Sequence, residues 1–122
     1  MSLADSSSLK NKTVLVVDDD PDIRYMLRLK LEVAGYEVIS EASNGAEAAW
    51  EAENHHPDFV ILDYAMPVMR GDQAATLIRG VSPESRIIAF SAYISGGPAD
   101  WADVTLPKED IGRLIPILEE LS

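Results

Sequence analysis

The feature that most constrains this chain is a repeated alternation of two segment types. Short β-branched or apolar runs stop abruptly at an acid, a hydroxyl or a lysine, and most are followed by a helix-like stretch. Thr13–Val17 ends at Asp18-Asp19-Asp20, Phe59–Leu62 ends at Asp63, and Arg86–Phe90 ends at Ser91. Runs of this kind read as strands buried on both faces. Two more strands are expected at Tyr36–Ser40 and Val104–Leu106, the latter followed by Pro107-Lys108.

The helices carry their own punctuation. Asp20 followed by Pro21 is an N-cap acid before proline at the first helical position. Ile23, Leu27, Leu31 and Ala34 recur at helical spacing with Met26 alongside, and Gly35 follows as a C′ glycine. Asn44-Gly45 opens a second helix over Ala46–Glu53, and a third is expected from about Asp72 to Gly80. Ser95-Gly96-Gly97-Pro98 breaks the chain, so Ala99–Asp103 can form at most a short turn. Glu109–Leu121 reads as a closing helix that Pro116 bends.

Strands alternating with helices imply an α/β fold: a parallel sheet with right-handed crossovers and helices on both faces. The length of 122 residues suits one domain. Residues 12–122 are expected to form it, with 1–11 a disordered or cloning-derived tail. That tail lacks the apolar core of a signal peptide, and no apolar run approaches the ~20 residues of a membrane helix. The absence of cysteine excludes thiolate metal sites, disulfides and thiol catalysis, and fits a cytoplasmic setting. A net charge of −11 repels phosphate backbones, so nucleic acid and anionic membranes are not expected partners.

In a parallel sheet, function gathers at the carboxyl ends of the strands. Asp18, Asp19, Asp63, Ser91 and Lys108 all fall there. If the strand order is 2-1-3-4-5, the three acids converge, flanked by Ser91 and Lys108. Carboxylates about 4 Å apart repel by roughly 4 kcal/mol per pair at an effective dielectric near 20. A divalent cation removes that cost, and Mg²⁺ suits an oxygen-only site that also takes phosphate oxygens. Lys108 offers a point charge for a phosphoryl oxygen, and Ser91 a hydroxyl donor. Asp63, alone at the end of its strand, is the candidate nucleophile, which would become an aspartyl phosphate.

Several segments together resemble the response-regulator receiver domain of bacterial two-component signalling. They are Val16-Val17-Asp18-Asp19-Asp20-Pro21, Asn44-Gly45-Ala46-Glu47-Ala48, Pro57 through Pro67 around Asp63, then Gly71, Ser91-Ala92 and Lys108. The resemblance spans about Lys12 to Leu121. It implies a three-layer, flavodoxin-like (βα)5 fold with a five-stranded sheet in order 2-1-3-4-5. It also implies that Asp63 accepts a phosphoryl group from a sensor histidine kinase or phosphotransfer protein. Asp19 would ligate Mg²⁺ directly and Asp18 largely through water, with the Ala65 backbone carbonyl completing the set. Ser91 and Lys108 would contact the phosphoryl group, and a downstream protein or an output domain absent from this chain would read the result. The protein would act as a switch rather than an enzyme.

Three departures from the family pattern concern one region. Only 16 residues separate Ser91 from Lys108, so the helix between the fourth and fifth strands is expected to be short or missing. Thr105 stands where an aromatic switch residue is usual, and Pro107 precedes Lys108 where proline usually follows it. Tyr93 is a candidate substitute for the aromatic. Together, Tyr93 and Ala65 imply slow loss of the phosphoryl group, because Ala65 cannot orient water.

Two other readings use the same residues. A pseudo-receiver would keep the fold as an interaction module without phosphorylation. Asp18-x-Asp20 also resembles the opening of haloacid-dehalogenase-type phosphatases, although Asp22 stands where those enzymes need Thr or Val, and the chain lacks their cap. His55-His56 falls in a turn and reads as no metal pair. Trp50 and Trp101 read as packing residues.

Overall fold

A computed structural model describes residues 12–92 and 100–122. Five strands form one parallel sheet in the order β2-β1-β3-β4-β5. They are β1 (Thr13–Val17), β2 (Glu37–Ala42), β3 (Phe59–Leu62), β4 (Arg86–Ser91) and β5 (Val104–Pro107). The helices are α1 (Pro21–Val33), α2 (Gly45–His55), α3 (Gly71–Val81) and α4 (Leu114–Leu121), with a 3-10 segment over Lys108–Arg113. This is the expected flavodoxin-like arrangement. Among the described residues no helix stands between β4 and β5; residues 100–103 form a turn, and Tyr93 and the Gly96-Gly97-Pro98 break lie outside the described residues.

The pleat sorts the apolar strand residues into two cores. Val14, Val16, Phe59, Ile61, Ile88 and Phe90 point to one face, covered by Leu27 and Leu31 of α1 and Leu114 and Leu118 of α4. Leu15, Val17, Val60, Leu62 and Ile87 point to the other, covered by Ala48 and Ala52 of α2 and Ala74, Ala75 and Ile78 of α3. The alanines let α2 and α3 lie close to the sheet. Burial on both faces is why β1 and β3 read as unbroken apolar runs.

The helix ends follow the local signals. The Asp20 side chain accepts the Asp22 N–H at 2.9 Å, with Pro21 at the first helical position. Asn44 accepts the Glu47 N–H at 2.9 Å. Gly35 has φ 95, a left-handed conformation that glycine takes without a Cβ clash, and its N–H donates to the Glu32 carbonyl at 3.0 Å.

Two expectations need correction. The closing segment is not one helix from Glu109 bent at Pro116: it is 3-10 over Lys108–Arg113, with non-helical dihedrals at Asp110. Pro116 falls in the first turn of α4, where its missing N–H has no intrahelical partner to lose. Trp50 is 60% exposed rather than packed, and Met26 lies on the outer side of α1 at 40%. His55 pairs with Glu51 at 3.2 Å, and His56 caps α2 in a left-handed conformation. Among the described residues no helix is long and apolar enough to cross a membrane.

The loop between β3 and α3 holds backbone strain. Val68, 82% exposed, has φ 72, and the Met69 N–H donates to the Pro67 carbonyl at 2.7 Å across it. This is the hydrogen-bond pattern of a positive-φ γ-turn, a strained geometry that is costlier still for a β-branched residue. Val68→Gly relieves the Cβ clash and adds some unfolded-state entropy, for an expected net gain of about 0.5–1 kcal/mol. A urea midpoint that falls in this variant would contradict the reading.

Candidate functional site

Two backbone bonds set the acids in place. The Asp18 N–H donates to the Ala42 carbonyl at 3.1 Å, and the Asp63 N–H to the Val17 carbonyl at 3.1 Å. Each extends a sheet ladder by one residue, so Asp18 and Asp63 sit side by side at the carboxyl ends of neighbouring strands. Both are buried, whereas Asp19 is exposed. The carboxylate oxygens of Asp18, Asp19 and Asp63 lie within 4.8 Å of one another.

Ser91 closes β4, and its hydroxyl donates to Asp63 Oδ1 at 2.9 Å. Ser91 pairs with Pro107 across β4 and β5, so Lys108 emerges beside it. The Lys108 Nζ lies 2.8 Å from Asp18 Oδ2 and 3.4 Å from Asp63 Oδ2. The structure thus brings Asp18, Asp19, Asp63, Ser91 and Lys108 together, with Ala65 two residues beyond Asp63 in the same turn.

The electrostatics are those of a crowded acidic pocket with one internal cation. Burial pushes the Asp18 carboxyl above its ordinary range; Lys108 and the Asp20 N–H pull it back, and the Asp63 charge pushes it up again. Burial disfavours the Lys108 ammonium, but the Asp18 and Asp63 carboxylates outweigh it and raise its pKa. Asp18 Oδ2 is enclosed, and the Lys108 ammonium at 2.8 Å is its ion-pair partner. A raised Asp18 pKa means that the folded protein binds this proton more tightly than the unfolded chain. Stability from this group is therefore greatest below the ordinary Asp value of 3.8 and declines as pH rises through the higher folded value. Asp18→Asn removes the buried charge. Without divalent metal it is expected to raise stability modestly at pH 7, with the gain shrinking toward acid pH, because the Lys108 ammonium keeps its contact with the Asp63 carboxylate. Calorimetry in chelator at neutral and acid pH checks this; a gain that grows in acid would refute it.

Other parts of the site escape sequence reasoning. An Arg24 Nη donates to the Asp18 carbonyl at 2.6 Å, while its Nε meets Glu41 at 3.3 Å. Arg28 holds the other Glu41 oxygen. This clamp from α1 fixes the turn that carries Asp18 and Asp19. Nothing in the spacing of Arg24 distinguishes it from an ordinary solvated arginine. Gly71, which belongs to the resembling segments, has a structural reason of its own. Its N–H donates to the Tyr64 carbonyl at 2.9 Å, and a Cβ there would lie 2.4 Å from the Asp63 carbonyl oxygen. Tyr64 stacks on Trp101, with ring centroids 6.1 Å apart and planes at 29°.

Residues 14–99 match the response regulator receiver domain family. The chain is a receiver domain. Its relatives include the chemotaxis protein CheY of Thermotoga maritima, 43% identical over 81 residues, 66% of this chain and 68% of that protein. A protein-glutamate methylesterase/protein-glutamine glutaminase of Hahella chejuensis is 41% identical over 83 residues, which are 68% of this chain but 24% of that protein. Among solved structures, the response regulator TrrA of Thermotoga maritima in complex with Mg²⁺-BeF has a TM-score of 0.81 and 35% identity, covering 91% of this chain and 99% of that one. The receiver fold is thus shared with proteins of quite different overall length. The family match stops at residue 99, before the turn, β5 and Lys108.

Proposed function

We propose that this receiver domain, residues 12–122, is the phosphoacceptor unit of a cytoplasmic bacterial response regulator, with Asp63 as the acceptor. The observation that carries the proposal is the convergence of three carboxylates within 4.8 Å around a lysine that touches two of them. Evolving such a pocket for stability alone is a poor solution, since buried like charges cost more than apolar packing. The likeness to TrrA, solved with Mg²⁺-BeF, supports the same reading.

The donor set fits a hard divalent cation: oxygen ligands only, within 4.8 Å of one another, with an enclosed Asp18 oxygen whose partner is a displaceable ammonium. Asp18, Asp19, Asp63 and the Ala65 carbonyl would hold Mg²⁺, which supplies charge neutralisation for the incoming phosphoryl oxygens. The chain's own groups do the rest. An Asp63 carboxylate oxygen attacks phosphorus in line with the leaving group. The P–N bond to the donor imidazole of a histidine kinase or phosphotransfer protein breaks, and its electron pair stays on nitrogen. Lys108 neutralises charge on the transferred group, and the Ser91 hydroxyl turns from Asp63 Oδ1 to a phosphoryl oxygen. Loss of those two native contacts biases a two-state equilibrium that a protein partner or output domain reads. Ala65 offers no polar side chain to orient water, so the acyl phosphate is lost slowly.

The test uses acetyl phosphate as donor and intact mass as readout. Wild type with Mg²⁺ gains one phosphoryl group; Asp63→Ala, or wild type in chelator, gains none. A folded wild type that gains nothing would leave an interaction module without phosphorylation as the better reading. Labelling of Asp63→Ala would place the acceptor elsewhere.

A further inference from the structure

The segment that most departs from the family pattern, between Ser91 and Lys108, brings an aromatic ring to the site. Trp101 stacks on Tyr64, the residue joined directly to Asp63. Its backbone is tied to α3 directly and to β4 through Asp103. The Trp101 carbonyl accepts from an Arg79 Nη at 3.2 Å, and the same nitrogen meets Asp103 Oδ2 at 3.2 Å. Asp103 in turn accepts the Ile87 N–H at 2.7 Å and donates its own N–H to the Ile87 carbonyl at 2.8 Å. The half-buried indole packs against the core that α2 and α3 form with the sheet. It is therefore a fixed plate, held by α3 and β4, against which Tyr64 leans.

The connectivity gives this plate a consequence. Three residues after Trp101 the chain enters β5, which ends at Pro107 and hands on directly to Lys108. Residues 63–64 and 101–108 meet through a polar contact, Lys108 on the Asp63 carboxylate at 3.4 Å, and through an aromatic one, Trp101 on the Tyr64 ring. The polar contact must change when Asp63 carries a phosphoryl group. The aromatic contact then either holds the turn in register or transmits the change to the edge strand. Thr105 carries no ring for that task.

We infer that Trp101 is a positioning residue: by stacking on Tyr64 it holds the turn carrying Asp63 and couples that turn to β5. The inference rests on the reading of Asp63 as phosphoacceptor. Stacked aromatic pairs shift equilibria by roughly two- to tenfold, which sets the size of effect to expect.

The experiment uses the full chain carrying Trp50→Phe, so that Trp101 alone emits. Adding MgCl2 and beryllofluoride changes Trp101 emission, and Tyr64→Ala abolishes the change. By intact mass, Trp101→Ala slows labelling by acetyl phosphate about three- to tenfold, whereas Trp101→Phe stays within about twofold because it restores a ring. Circular dichroism and melting curves establish that each variant is folded under assay conditions. If wild type is labelled but Trp101 emission does not move, or Trp101→Ala is labelled at the wild-type rate, the coupling role is overturned alone. If the folded wild type is neither labelled nor changed in emission, the phosphoacceptor reading falls and this inference falls with it.

Discussion

Gly71→Ala is expected to cost about 2–4 kcal/mol of stability and to weaken divalent-cation binding at the same time. The added Cβ would lie 2.4 Å from the Asp63 carbonyl oxygen and 2.8 Å from the Tyr64 Cα. Both are backbone atoms, so no side chain can swing aside. Gly71 cannot retreat freely either, because its N–H donates to the Tyr64 carbonyl and it opens α3. A retreat would drag Ala74, Ala75 and Ile78 out of the core they fill. The alternative is to push the Asp63 turn outward, which spreads the three carboxylates. Urea unfolding with and without MgCl2 reads both effects. An unchanged midpoint would mean that the turn yields without cost, and the close approach would then have no structural meaning.

Lys108→Met is expected to destabilise the metal-free protein at pH 7 by about 2 kcal/mol, less than the loss for a fully enclosed pair, because the lysine retains some contact with water. Its side chain is 21% exposed while that of Asp18 is 1%. Removing the ammonium leaves two buried carboxylates facing each other with no internal cation. The deficit should fade as pH falls and Asp18 takes up its proton. It should also fade at high pH, because wild type itself loses this pair as pH rises through the raised folded Lys108 value, which lies above the ordinary 10.5. Mg²⁺ should then bind more tightly to the variant, by about tenfold, as it no longer competes with an ammonium at 2.8 Å from Asp18. Labelling of Asp63 should nevertheless slow, since the charge that receives the phosphoryl group is gone. Weaker Mg²⁺ binding in Lys108→Met would show that the lysine organises the pocket rather than competes for it.

Much of this architecture was legible because its signals are local. β1 and β3 run over the residues their β-branched and apolar runs delimit, and Asp20-Pro21, Asn44-Gly45 and Gly35 mark helix ends where expected. Caps and strand periodicity depend on a few neighbouring residues, so a single sequence carries them. The candidate site was legible for a related reason. In a parallel sheet, topology alone sends the residue after each strand to one edge, and five chemically suited residues occupied those positions.

What the sequence hid depends on distance through space. The break before α4 lies at Lys108–Arg113, where the chain must turn after delivering Lys108 to two carboxylates. Pro116, the visible helix breaker, falls in a first turn that tolerates it. Trp50 looked like a packing residue, but α2 meets the sheet through alanines and leaves the indole outside. Arg24 reaches Asp18, Gly71 meets the Asp63 carbonyl, and Trp101 finds Tyr64 only after the crossovers are closed. The sequence by itself determined the strands and most helix boundaries, because these follow from short-range pattern, and it placed the acids at strand ends; that they converge followed from the strand order implied by the family resemblance. The tertiary structure decided which arginine, glycine and tryptophan support those acids, because such contacts follow from how helices settle on a twisted sheet, which no local period encodes.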